Sequence, residues 1–361
     1  MHPEENITAF AKLGKLLRNF KKNKKHSALS GAVSQSIKYN GWFTEKNVLF
    51  AVHAIGEMLQ EDKIREWMSK HPVSLSGHRK MVIGVIMAGN IPLAGFHDFL
   101  SVLFSGNVFL GKLSSDDRFL LPAFSELLTG IDKRFKEKIF FVPADSFFKK
   151  GASAFIATGS SNSARYFEYY FRHVPHIIRK NRNSVAVLDG SETETDIKNL
   201  GKDIFQYFGL GCRNVSKVFI PQNYNPDKIF SAIADYGNVI HHHKYCNNYR
   251  HYRSMYLLNK ETFLDNNFLL LKEDKRMASP PATLYFERYE NKSELFRKLE
   301  EEKTKIQCIV SKEPLPSSCE KTSVMPGQTQ SPALWDYADG TDTMEFLCRI
   351  FINGCTNYCT K

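Results

Sequence analysis

Gly209-Leu210-Gly211-Cys212-Arg213-Asn214 sets a cysteine among glycines, after a helical stretch and before a strand-like apolar run. Glycines flanking a cysteine let backbone N–H groups approach a ligand, and the turn exposes the thiol. Arg213, or a nearby helix N-terminus, could lower the thiol pKa and raise the fraction of thiolate, the nucleophilic form. The same pattern suits a buried structural cysteine, and the local residues leave both readings open. Gly89-Asn90-Ile91-Pro92-Leu93 puts an amide directly after a strand and before a helix. There it can donate to a developing oxyanion; an asparagine cap or turn residue is the plainer alternative. Thr158-Gly159-Ser160-Ser161-Asn162 is another strand-to-helix turn, whose helix N-terminus suits a phosphate, although serine caps begin many helices. His241-His242-His243 with Cys246 is a weak metal motif, because adjacent histidines diverge on any regular element, and a polar loop or substrate-side surface is expected. Cys348, Cys355 and Cys359 lack zinc-ribbon spacing and are expected on a C-terminal helix and tail.

The elements that must carry these residues follow from apolar periodicity. Residues 7–20 and 46–58 have apolar positions at helical spacing. From residue 80, strands at 81–87, 108–110, 139–142 and 154–157 alternate with helices at 93–104, 117–128 and 161–171. That alternation predicts a parallel sheet covered on both faces. Strands at 184–188, 216–220, 283–286 and 307–310, with helices at 192–208, 226–236 and 292–303, predict a second α/β unit. Pro, Ser and Thr concentrate in 314–332, predicting an irregular end to it. The expected division is 1–185, 186–340 and a C-terminal segment, 341–361, that could return to the first domain.

Composition narrows the function classes. A chain of 361 residues, 42% apolar and 24% charged, suffices for about two domains with ordinary cores. Its 28 phenylalanines favour a thick aromatic core over an apolar cavity. The net charge of +11 could serve nucleic acid, an anionic surface or a small polyanion. The densest basic run, residues 21–26, reads as a solvated helix end, and without a nucleic-acid motif no nucleic-acid partner is expected. Seven cysteines without a C-x-x-C pair, and a charged start lacking a signal-peptide core, point to free thiols in the cytoplasm. The longest apolar stretch, 81–110, is broken by Asn90, Pro92, His97 and Asp98, so no integral membrane segment is expected.

Taken in order, the motifs resemble those of the aldehyde dehydrogenase superfamily, and more closely its Lux-type fatty acyl-CoA reductase branch, LuxC. Gly89 to Leu93 is similar to the Asn-Phe-Pro-Leu element whose asparagine helps form the oxyanion hole. Ser105-Gly106-Asn107-Val108-Phe109-Leu110-Gly111-Lys112-Leu113-Ser114 resembles Gly-Asn-Thr-Val-Val-Leu-Lys-Pro-Ser, where the lysine and serine hold the adenosine ribose. Thr158-Gly159-Ser160 looks like the Thr-Gly-Ser before a helix near the dinucleotide, and Gly209 to Cys212 like the Gly-Gln-x-Cys nucleophile element. The resemblance runs from about residue 80 to at least 311. It implies a Rossmann-type cofactor domain joined to an α/β catalytic domain. Cys212 and Asn90 would be catalytic, and Lys112, Ser114, Ser115, Gly159 and Ser160 would bind cofactor. Homo-oligomers are usual in the superfamily and are expected here by analogy.

Two departures refine the expected reaction. The Glu-Leu-Gly-Gly-Lys segment that carries the superfamily's general base should fall near Arg179-Lys180-Asn181-Arg182-Asn183, which has no glutamate. Without a base to activate water, thioacyl hydrolysis is disfavoured and a reductase exchanging with a thiol is favoured. The Glu-x-Phe-Gly-Pro element corresponds to Arg276-Met277-Ala278-Ser279-Pro280, also without its ribose-binding glutamate. Ser115 stands where NAD-preferring relatives often carry a glutamate, so a 2′-phosphate would not be repelled and Lys112 could pair with it. This favours NADPH, with NADH left open by Asp116 and Asp117. The expected reaction is reduction of an acyl-CoA, long-chain by the resemblance, to its aldehyde. An acyl-carrier-protein substrate, or a non-catalytic interaction protein retaining the fold, are the alternatives. Gln328 to Pro332 and Trp335-Asp336-Tyr337 are expected along the acyl tunnel.

Overall fold

The chain opens on helices whose apolar stripes need a common partner: α1 (Pro3–Arg18), α2 (Ala28–Tyr39), α3 (Glu45–Met58) and α4 (Glu61–Ser69). This computed structural model describes residues 3–21, 28–71, 80–143, 147, 151–320 and 322–356; most of the basic run and Cys359 lie outside the described residues. Glycine sets how closely α1 and α3 approach: a Cβ at Gly14 would lie 2.7 Å from Leu59 Cβ, and one at Gly56 2.7 Å from the Arg18 backbone nitrogen.

Beyond these helices come β1 (Val82–Ile86), α5 (Phe96–Phe104), β2 (Val108–Lys112), α6 (Leu120–Ile131), β3 (Ile139–Phe141), β4 (Ala154–Thr158), α7 (Ser161–Phe171) and β5 (His176–Arg179). The strands form one parallel sheet in the order β3-β2-β1-β4-β5, with Ile86 opposite both Lys112 and Ala157. Many phenylalanines sit in its core; Phe10 packs on Phe104 and Phe135, and Phe99 on Phe109.

The second unit holds β6 (Asn183–Val187), α8 (Glu194–Phe205), β7 (Val215–Pro221), α9 (Asp227–Ala232), α10 (His243–Leu258), β8 (Leu264–Asp265), β9 (Leu270–Glu273), β10 (Thr283–Tyr289), α11 (Lys292–Glu301), β11 (Ile306–Ser311) and β12 (Ser323–Val324). Its sheet runs β12-β11-β6-β7-β10-β9-β8, parallel except for the β8–β9 edge. The α/β class with parallel sheets is the one expected. The last element among the described residues is α12 (Thr343–Thr356), which carries Cys348 and Cys355.

The compact units are residues 1–180 with 333–361, and 181–332. The boundary at 185/186 is thereby corrected, because it would cut β6, whose Asn183 already pairs with Ile306 of the second sheet. The return to the first unit begins at Ala333 rather than at 341. The Leu334 carbonyl bonds His97 Nε2 at 2.8 Å, and the Tyr337 hydroxyl accepts from Trp67 Nε1 at 2.6 Å. Tyr337 is therefore committed to anchoring this segment. Among the described residues, no helix is long and apolar enough to cross a membrane.

Candidate functional site

In the first unit the chain runs from β1 outward through β2 to β3, then returns to the other side of β1 for β4 and β5. The carboxyl ends of β1 and β4 thus flank a switch point, where loops diverge and leave the crevice typical of dinucleotide sites. Asn90 follows β1, Lys112 ends β2 with Ser114 and Ser115 just beyond, and Gly159 and Ser160 follow β4. Six residues singled out in the sequence thereby share one sheet edge.

Close backbone contact joins the first two groups. The Met87 N–H donates to the Lys112 carbonyl at 3.1 Å, and a Cβ at Gly89 would lie 2.5 Å from Ser114 Oγ. Only glycine allows the serine that near. Asn90 and Ser115 are exposed, while Lys112 is half-buried and makes no ion pair among the described residues. On the β4 side, Ser160 caps α7 by accepting from the Ser163 N–H at 3.2 Å. A Cβ at Gly159 would lie 3.0 Å from Ser163 Cβ, so its absence lets α7 pack down on the strand end.

Sequence reasoning missed the part played here by Asp117. Its Oδ2 accepts from the Leu93 N–H at 2.6 Å. Asp117 is buried, and burial pushes its pKa up to about 7 against the pull of the Leu93 amide. Leu93 has a left-handed backbone at φ 60°. That conformation costs a branched residue roughly 1–3 kcal/mol and persists only where its surroundings fix it.

Cys212 belongs to the second unit, in a turn closed by the Asn214 N–H on the Gly211 carbonyl at 3.0 Å. The residue is exposed. Its surroundings are rigid: buried Asn214 accepts from the Gly211 N–H at 2.8 Å and donates to the Asp203 and Gln206 carbonyls at 2.9 and 2.8 Å. The Asp203 carboxylate takes the Gly327 N–H, the Thr329 N–H and the Thr329 hydroxyl, and burial raises its pKa. Ser184 Oγ donates to the Cys212 carbonyl and accepts from the Cys308 N–H, both at 3.1 Å. Arg213 directs Nη1 to Cys308 Sγ at 3.2 Å and the Thr329 carbonyl at 3.4 Å.

Tyr207, Phe208 and Gly209 are all left-handed, at φ 52°, 60° and 78°. This run ends α8 at Phe205 rather than at 208 and swings the chain into the cysteine turn. Two aromatic residues at positive φ are held by burial of Tyr207 and by stacking of Phe208 on His242, with ring centroids 4.0 Å apart. His242 also caps α10. The histidine run thus opens a helix instead of forming a loop.

The two departures have structural counterparts. Arg179 is buried against Asp98, with Nη1 at 2.6 and 2.5 Å from its carboxylate oxygens, so the corresponding stretch begins with a buried cation. Near the other, the Asp274 carboxylate is taken by Arg276 and Lys272, which hold its pKa far below the usual range.

Solved structures share this fold at low sequence identity. An aldehyde dehydrogenase from Bacillus cereus, solved with NAD+, is 13% identical with a TM-score of 0.63, over 86% of this chain and 72% of that one. KauB, an aldehyde dehydrogenase of Pseudomonas aeruginosa, is 11% identical with a TM-score of 0.71, over 97% and 83%. AldA of P. syringae, an indole-3-acetaldehyde dehydrogenase, is 10% identical with a TM-score of 0.65, over 90% and 76%. No curated protein matches the sequence. The family description "Acyl-CoA reductase (LuxC)" matches residues 12–235, more than half of the chain and a span that includes both Asn90 and Cys212. With that match and an aldehyde-dehydrogenase-like fold, the chain belongs to the LuxC acyl-CoA reductase family.

Proposed function

We propose that this protein reduces a long-chain fatty acyl-CoA to its aldehyde through a thioacyl-Cys212 intermediate, acting in the cytoplasm as a homo-oligomer. The observation that carries this reading is the exposed Cys212 on a turn pinned by buried Asn214, within the span matched by the LuxC family. As thiolate, Cys212 attacks the thioester carbonyl carbon; its sulfur forms a bond to that carbon, and CoA leaves as a thiolate. The Asn90 side-chain amide and the Cys212 backbone N–H donate to the oxyanion of the tetrahedral species. A bound nicotinamide cofactor supplies the hydride. Cys212 then leaves from the thiohemiacetal as its carbon–sulfur bond breaks and aldehyde is released. Lys112, Ser114, Ser115, Gly159 and Ser160 are the residues assigned to the cofactor.

NADPH is the cofactor this reading favours. Lys112 makes no ion pair among the described residues, and the Asp117 carboxylate is turned inward onto Leu93. Lys112→Ala should raise KM for NADPH about tenfold, the effect of about 1.4 kcal/mol, and leave KM for NADH within about twofold. Equal rises for both cofactors would remove the 2′-phosphate from the assignment. Asn90→Ala should lower kcat about 10²–10³-fold with KM for acyl-CoA little changed. A matching rise in KM with kcat intact would instead make Asn90 a substrate-binding group.

A further inference from the structure

Asp117 is a buried carboxyl for which the proposed chemistry has no direct use. Its Oδ2 receives the amide of Leu93, three residues beyond Asn90. Its own backbone forms an antiparallel bridge with Ser114. The other carboxylate oxygen, Oδ1, is buried and makes no hydrogen bond among the described residues. A simple helix cap would sit at the surface; this group is buried and ties the Leu93 turn to the Ser114 segment, both of which carry residues assigned to the reaction. Leu93 is the weak point it holds, a left-handed leucine that would relax if its amide lost its acceptor. From Leu93 the chain runs back through Pro92 and Ile91 to Asn90, so the path between clasp and amide is short and contains a fixed proline φ.

We propose that Asp117 is a positioning residue: its carboxyl locks the Leu93 turn and so sets where the Asn90 amide is presented beside the Lys112–Ser114 segment. The role of Asn90 in this inference rests on the proposed reductase reading. The clasp itself rests only on geometry. It needs an acceptor at this position and does not need a charge.

Two neutral substitutions of similar size separate these requirements. Asp117→Asn keeps an oxygen acceptor for the Leu93 N–H, whereas Asp117→Leu fills the space without one. Hydrogen exchange of the full-length protein should show residues 89–95 exchanging at least about tenfold faster in Asp117→Leu than in Asp117→Asn, with β1 unchanged in both. In acyl-CoA reduction, Asp117→Leu should lower kcat about 30-fold and Asp117→Asn less than about threefold. In the Asn90→Ala background the leucine substitution should add less than about twofold, because the group it positions is already gone. Equal exchange in the two variants, or additive losses in the double variant, overturns the clasp. A wild-type protein silent on every thioester refutes the reductase reading alone, and the exchange comparison then decides Asp117 by itself.

Discussion

Cys212→Ala should lower acyl-CoA-dependent NADPH oxidation by about 10⁴-fold or more, down to the rate without enzyme. No neighbouring group can replace a nucleophile that forms the covalent intermediate, so the loss should appear in kcat for every thioester. The variant should fold normally, because what fixes the turn is Asn214 and the Ser184 hydroxyl on backbone atoms rather than the thiol. NADPH affinity should stay within about threefold, since Cys212 is not among the residues assigned to the cofactor. Mass spectrometry supplies the second readout: wild type mixed with acyl-CoA and no cofactor should carry one acyl group on the peptide containing Cys212. An adduct on another cysteine, or unchanged turnover in the variant, moves the nucleophile elsewhere.

The largest expected loss of stability follows from Arg179→Met. Arg179 and Asp98 are both buried, and the guanidinium also donates to Thr343 Oγ1 at 2.8 Å. Removing one member of a buried pair leaves the other charged and unsolvated, a cost of about 3–5 kcal/mol. Urea unfolding should show that loss in the transition that reports the first unit. Joining it with Asp98→Leu should recover much of the stability, because an apolar pair of similar volume removes the stranded carboxylate. If the double variant is as unstable as the single one, the pair matters for its contacts to Thr343 and α12 rather than for its charge.

The sheet of the first unit was legible because its strands are short apolar runs separated by amphipathic helices, and β1, β2, β3 and β4 fall within a few residues of their expected places. The elements that escaped have cores of another kind. On α10 the buried positions are Tyr245, Tyr249 and Tyr256, at helical spacing but in a stretch rich in His, Asn and Arg. On α2 they are Leu29, Ala32, Val33 and Ser36, too small to stand out. β5 ends in Arg179, buried only because Asp98 pairs with it, a tertiary fact invisible to a local pattern. At the site, types and order pointed to Asn90, Lys112 and Cys212. Their supports remained hidden, since Asn214 and Asp117 act by accepting backbone amides, and any turn contains asparagine and aspartate. The left-handed run at Tyr207 and Phe208 was likewise illegible, because aromatic residues disfavour that conformation and only burial and stacking enforce it.

The return of the chain to its first unit at Ala333 has a consequence for the order of assembly. Arg179 and Thr343 meet across 164 residues of sequence, and Asn181–Pro332 is inserted between them as a compact unit of its own. A ribosome adding about 5–20 residues per second needs on the order of ten to thirty seconds to cover that span. The unit begun second is therefore complete in sequence first. Through that interval the first unit waits without Tyr337 on Trp67 and without α12, its Arg179–Asp98 pair still open on one side. Synthesis of the segment from Ala333 through α12 is what closes the first unit.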